Sequence, residues 1–119
     1  MKILVTGANG QLGKSLFDLH TATPWEWVFT SRNQLDLSTP ESIKKTIARE
    51  NPDVIVNTAA YTAVDKAEKE ETLAFKINRD SLAILADAIS GTPKKIIHIS
   101  TDYVFDGRGK IPYRENGKT

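Results

Sequence analysis

The stretch that most narrows the possibilities is KILVTGANGQLG, residues 2–13, where an apolar run stops on glycine. A short apolar run bounded by a turn signal reads as a strand buried on both faces, the kind found in parallel sheets. Behind it Gly7, Gly10 and Gly13 recur every three residues. A loop that receives a dinucleotide needs glycine for a tight turn, for close backbone approach to the pyrophosphate and for helix–strand packing. The helix behind such a loop then faces the phosphates with free N–H groups and the positive end of its dipole. The spacing is G-x-x-G-x-x-G rather than G-x-G-x-x-G, so the placement after a first strand carries as much of the signal as the glycines. Two other readings stand beside it. ANGQLGKS (8–15) ends in Gly-Lys-Ser like a phosphate-binding P-loop, but Ala8 sits where that motif has its first glycine, and DVIVN ends in Asn57 rather than an acid. A plain turn without a ligand is the other.

The rest of the chain alternates. GQLGKSLFDLH (10–20) spaces Leu12, Leu16 and Leu19 for one helix face, with Phe17 beside them. WEWVFTS (25–31) is aromatic and β-branched, hence a second strand. STPESIKKTIARE opens as a helix, with Ser38 or Thr39 as cap, Pro40 in the first turn and Glu41 near the positive end. DVIVN (53–57) is a third strand. Val64 to Ile89 follows a helical pattern through Leu73, Ile77, Leu82 and Leu85, and Asp65 with Glu68 can form a capping box. KKIIHIS (94–100) is a fourth strand, and 106–119 reads as loop. Strands joined by helical crossovers pair in parallel. The expected class is α/β, a doubly wound, Rossmann-like parallel sheet truncated after about four strands.

Composition restricts the partners. A net charge of +1 gives no bulk attraction to nucleic acid or membrane, and the absence of cysteine excludes thiolate metal sites and disulfides. No metal site is expected. MKILVTG is too short for a signal peptide and nothing approaches the ~20 apolar residues of a membrane span, so a cytoplasmic location is expected.

The end of the second strand bears on the nucleotide. An acid that binds the ribose is expected ~20 residues past the glycine loop. Arg32 stands nineteen positions after Gly13, where that acid would be. A guanidinium can grip a 2′-phosphate, which favours NADP(H), with NAD(H) as the alternative. The bland reading of Arg32 is a solvated surface charge. Asp36 and Leu37 could face the adenine, or serve only the turn before the second helix. His98, flanked by apolar residues, reads as a sheet histidine. His20 ends the first helix, where a cation suits the dipole.

Four segments, VTGANGQLG, LDLSTPES, PDVIVNTAAYTAVDKAE and IHISTDYVFDG, together resemble the N-terminal part of the dTDP-4-dehydrorhamnose reductases, a branch of the extended short-chain dehydrogenase/reductase family. The resemblance runs in order over nearly the whole chain. It implies that Gly7, Gly10, Gln11, Leu12 and Gly13 line the cofactor diphosphate, that Asp36 and Leu37 touch the adenine, and that Ala60, Tyr61 and Thr62 flank the ribose on the nicotinamide side. It gives Thr101 the hydroxyl position of the catalytic triad and sets Asp102 and Tyr103 against a nucleotide-sugar substrate. The implied reaction is hydride transfer from NAD(P)H to the 4-keto group of dTDP-4-dehydro-L-rhamnose, within cell-surface polysaccharide synthesis.

Such reductases complete their site with Tyr-x-x-x-Lys on a helix. Four residues after Tyr61, Tyr103 and Tyr113 stand Asp65, Gly107 and Gly117; Lys118 is five from Tyr113. The expectation is therefore that residues 1–119 form the N-terminal part of a dinucleotide-binding domain, with the catalytic helix and substrate domain outside it and no useful turnover by the chain alone. KIIHIS would then be an unpaired apolar edge, favouring a homo-oligomer. A non-catalytic NADP-binding subunit resembling the β subunit of methionine adenosyltransferase is the second reading, and a P-loop NTPase the third.

Overall fold

The computed structural model describes residues 1–63, 66, 69–101, 105, 107–109, 112–114, 116 and 117. β1 (Lys2–Thr6) lies between β2 (Glu26–Thr30) and β3 (Val54–Asn57), and β4 (Lys95–His98) pairs with the far side of β3. Every pairing is parallel. Leu4 and Val5 have no accessible surface, because the central strand is covered on both faces. That is why its sequence is continuously apolar rather than alternating. The doubly wound, Rossmann-like class read from the sequence is the one observed.

α1 (Gln11–Leu19) runs into a 3₁₀ turn, His20–Ala22. α2 (Pro40–Glu50) follows β2. α3 (Glu71–Phe75), a π-helical turn (Lys76–Asp80) and α4 (Ser81–Ile89) together connect β3 to β4. The larger core gathers Leu4 and Ile55 with Ile43 and Ile47 of α2 and Leu85 and Ile89 of α4. On the opposite face Leu16 packs on Ile3, Val5 and Val56.

Three local expectations change. The α1 stripe does not form a packed face: Leu12, Phe17 and Leu19 are 39%, 54% and 64% exposed, and Gly13 is the one buried residue of the helix. The helix sits close to the glycine loop through Gly13, which turns the outer part of the stripe to solvent. Phe17 packs instead edge-on to Phe29, at 5.2 Å between ring centroids. Thr39 holds the N-cap position of α2 without a side-chain cap bond, while the Ser38 hydroxyl donates to Asp36 Oδ1 at 2.7 Å. The helix expected without a break from Val64 to Ile89 is interrupted at Glu70, which leaves the helical region at φ −118°, ψ 39° after a helical Lys66; Val64 lies outside the described residues. Asp65 and Glu68, the expected capping box, lie outside the described residues. At the end of α1 the His20 Nδ1–H donates to the Phe17 carbonyl, in keeping with its helix-end position.

The last residues of the four strands form one polar row. In register, Thr6 pairs with Thr30 and Asn57, and Asn57 with His98. The Thr6 hydroxyl donates to Asn57 Oδ1 at 2.6 Å, and Asn57 Nδ2 donates to His98 Nδ1 at 3.1 Å. The Thr30 hydroxyl donates to the Val5 carbonyl. Buried polar groups are tolerated when every partner is supplied. His98 is thus a sheet histidine, as the sequence suggested. Among the described residues β4 is an edge strand, with Ile97 about half exposed beside Val56 and Ile99 similarly open.

Asn57→Ala removes the middle of this row and leaves the buried Thr6 hydroxyl and the half-buried His98 ring without their partner. The expected loss is about 2 kcal/mol of folding stability. Urea denaturation measures it, and an unchanged midpoint would show that Thr6 and His98 find other partners.

Candidate functional site

The turn after β1 is tied to both neighbouring strands. The Ala8 N–H donates to the Thr30 carbonyl at 3.1 Å, and the Thr58 hydroxyl donates to the Thr6 carbonyl at 2.6 Å. Gly7 has φ +72°, and a Cβ there would lie 2.8 Å from the Ala59 Cα and N. Both the left-handed backbone and the close approach demand glycine at this position. Gly10 is the N-cap of α1, and a Cβ on it would meet only the Gly7 carbonyl oxygen, at 3.2 Å. A Cβ on Gly13 would stand 2.4 Å from that same oxygen. The first turn of α1 has no acidic residue and no side-chain cap, so its positive end is uncompensated.

Beyond these strand ends opens a pocket of about 840 Å³, of the size that holds a cofactor. Ten of the residues singled out in the sequence line it: Gly7, Gly10, Gln11, Leu12, Arg32, Asp36, Leu37, Ala60, Tyr61 and Thr62. Gly13 does not reach the wall; it packs behind the loop. Thr101, just past β4, is exposed and is not part of the wall. Asp102 and Tyr103 lie outside the described residues. The sequence reading missed Asn9, Ser15, Ser31, Leu35, Thr58, Ala59 and Ile77 in the lining. Ser31 and Thr58 were within reach, since each follows a strand end where ligands gather in such sheets. Ile77 belongs to a helix distant in sequence and carried no such signal.

The charges in the wall are specific. Arg32 Nε stands 3.9 Å from Asp36 Oδ2, longer than a hydrogen bond, with the arginine side chain mostly exposed. Asp36 accepts the Ser38 hydroxyl and N–H, and the Ser38 hydroxyl bond is the main cause that holds its carboxyl below the ordinary range, with Arg32 adding to it. The Tyr61 hydroxyl donates to Glu70 Oε2 at 2.5 Å, which raises the phenol pKa; the charge of Arg32 opposes this. Lys14, the P-loop lysine of the rival reading, lines a separate depression with Phe17, Asp18 and Phe29. Among the described residues no three His, Asp or Glu side chains gather as a metal site, and no helix is long and apolar enough to cross a membrane.

Residues 1–119 match the family model described as the RmlD substrate binding domain. The chain belongs to that family. It is 43% identical over its whole length to a dTDP-4-dehydrorhamnose reductase of Sinorhizobium fredii and spans 40% of that relative. A solved dTDP-4-dehydrorhamnose reductase from Clostridium acetobutylicum superposes with a TM-score of 0.93 at 42% identity, over 99% of this chain and 42% of the other. One from Bacillus anthracis in complex with NADP gives 0.83 at 36%, over 92% and 39%. The chain thus spans about two fifths of the length of these RmlD-family relatives. Neither the P-loop reading nor the regulatory-subunit reading gains support from them.

In the folded chain Asp36 stays ionised to lower pH than the ordinary carboxyl value of ~3.9. Its contribution to stability is therefore present above ~4 and lost as pH falls through the lower, folded value. Asp36→Asn should flatten that part of the acid limb. Urea midpoints of both proteins at pH 7 and pH 3 test it, and parallel curves would exclude the contribution.

Proposed function

We propose that the pocket holds NADP(H) and that the chain is the cofactor-binding part of a reductase acting on dTDP-4-dehydro-L-rhamnose. The observation that carries this is the glycine turn pressed against Ala59 beneath a pocket of cofactor size. The fit is physical. A Cβ on Gly10 would have nothing but the Gly7 oxygen nearby, so the space over this residue is open to a phosphate. The uncapped first turn of α1, with Gln11 and Leu12, offers N–H groups to the diphosphate. Gly7 and Gly13 serve by letting loop, helix and β3 close together.

Arg32 sits at the end of β2 with a guanidinium only loosely engaged by Asp36, and its role is to bind the 2′-phosphate. Asp36 and Leu37 border the adenine, and Ala60, Tyr61 and Thr62 border the ribose next to the nicotinamide. When bound, the nicotinamide supplies hydride to the 4-keto carbon. Thr101, beyond β4, is the hydroxyl that donates a hydrogen bond to the carbonyl oxygen as negative charge grows on it. Asp102 and Tyr103 border the sugar. No tyrosine in the chain has lysine four residues later, so these 119 residues account for cofactor binding and one rim of the substrate site. The cytoplasm is the compartment consistent with a nucleotide-linked substrate.

Titrating NADPH, NADH and Mg·ATP into the chain tests the reading. NADPH should bind more tightly than NADH, by a charge-assisted contact worth ~1.5–3 kcal/mol, and Arg32→Ala should bring the two together. Gly10→Val should abolish dinucleotide binding while the fold survives, because its side chain occupies the open space. Equal affinities in wild type remove the role of Arg32; preference for Mg·ATP removes the dinucleotide reading.

The half-open β4 edge, with Ile97 and Ile99, also supports self-association of the chain. Light scattering over a concentration series should show dimers or larger species, weakened by Ile97→Lys. A strictly monomeric chain at high concentration contradicts it.

A further inference from the structure

Lys14, from the Gly-Lys-Ser triplet, lies one turn inside α1, its N–H donating to the Gly10 carbonyl at 3.0 Å. It lines a depression of about 510 Å³ between α1 and the end of β2. That depression adjoins the cofactor pocket. Asn9 and Ser31 belong to the walls of both and form the ridge between them.

The packing of α1 on β2 fixes where the lysine stands. Phe17 meets Phe29 edge-on, with 5.2 Å between ring centroids. Lys14 precedes Phe17 by three positions and shares its side of the helix. Ser31 follows Phe29 by two and shares its side of the strand. α1 connects two parallel strands and so runs back against them. The residue one turn before Phe17 therefore stands beside the residue just after Phe29. Helical side chains also tilt toward the N-terminus, here toward the pocket. Lys14 is exposed and takes part in no ion pair among the described residues. Asp18, on the same depression, follows it by four, the weaker order for a helical pair.

Charge makes this position useful. Among the described residues, the wall of the cofactor pocket carries one cation, Arg32, and one anion, Asp36. They stand 3.9 Å apart, so each offsets the other. The Ser31 N–H and hydroxyl both donate to Gln34 Oε1, at 2.9 and 3.1 Å, and are not left over for an anion. A phosphate monoester has its second pKa at ~6 and is close to a dianion at neutral pH. Arg32 with Asp36 beside it is a poor match for that charge.

We propose that Lys14 is a specificity-determining residue for NADP(H), its ammonium reaching across the Asn9–Ser31 ridge to hold the 2′-phosphate opposite Arg32. The inference rests on the reading of the pocket as the NADP(H) site. A lysine is a compact charge on a flexible stem and binds phosphate without the fixed fork that arginine needs. NADH has a hydroxyl at the same place and gains nothing from the ammonium. Without Arg32 the charge of Lys14 is in turn offset by Asp36, so the preference needs both cations.

Dissociation constants for NADPH and NADH, measured on the wild-type chain, Lys14→Gln and Lys14→Arg at low and high salt, test this. Lys14→Gln should weaken NADPH roughly fivefold, the upper end for an exposed ion pair, and leave NADH within about twofold. NADH binding thus also reports that the variant is folded. Lys14→Arg keeps the charge and should keep the preference. The effect of Lys14→Gln should shrink between about 0.05 and 0.5 M salt, as screening shortens the reach of an exposed charge. Unchanged NADPH affinity in Lys14→Gln at low salt, or equal weakening of both nucleotides, overturns the role of Lys14 and leaves the NADP(H) reading standing. So does a Lys14→Arg chain that has lost the preference as fully as Lys14→Gln. A wild-type chain that binds neither nucleotide overturns the reading of the pocket and this proposal with it.

Discussion

The carboxyl edge of the sheet is organised by how closely the turn after β1 approaches the end of β3. Gly7 lies so near Ala59 that a single added carbon would come within 2.8 Å of its backbone. The turn is held there by the Ala8 N–H on the Thr30 carbonyl and the Thr58 hydroxyl on the Thr6 carbonyl. β2 and β3 flank β1 on opposite sides, and α1 and α2 lie on opposite faces of the sheet. Connections that part in this way leave a crevice at the strand ends. The tight turn forms its floor, and the first turn of α1 one of its walls.

Beneath the crevice lies the polar row of Thr30, Thr6, Asn57 and His98. It marks the level at which the sheet changes from hydrocarbon to hydrogen bonds. Leu4 and Ile55, two residues below along their strands, are inaccessible. The row lets the strands end in polar residues without leaving any buried group unpaired, so the apolar core can extend to just under the pocket. The two faces of the sheet are unequal. α2 and α4 close one of them over a continuous cluster, whereas on the other α1 leaves Phe17, Leu19 and Ile97 in contact with solvent. The closed face supports the position of the pocket; the open one offers surface for association.

The elements that were legible in the sequence are those specified by neighbours along the chain. The strand at 2–6, the glycine turn, the Pro40 helix start and the parallel pairing implied by alternating strands and helices all follow from local rules. Of the ten pocket residues, Gly7, Gly10, Arg32, Asp36 and Leu37 were legible from loop and strand-end rules, whereas Gln11, Leu12, Ala60, Tyr61 and Thr62 came from the resemblance to the reductases. The α1 helix was legible too, but helical spacing shows which residues share a face, not how much of that face the sheet can cover. Gly13 illustrates the same point. The resemblance put it on the cofactor diphosphate, and the packing that would set an added Cβ 2.4 Å from the Gly7 oxygen puts it behind the loop.

What the sequence by itself determined is the class of fold and the edge of the sheet at which a ligand would gather, because both depend on periodicity and on turn residues a few positions apart. Only the tertiary structure decided how the wall of the pocket is held. Asn78 and Tyr61 are seventeen residues apart, and Thr6 and Asn57 are fifty-one. Nothing in the local pattern of either partner names the other. Such pairs are selected when packing brings the groups within hydrogen-bond distance, and the π turn lets a stripe of four-residue spacing stay on the sheet.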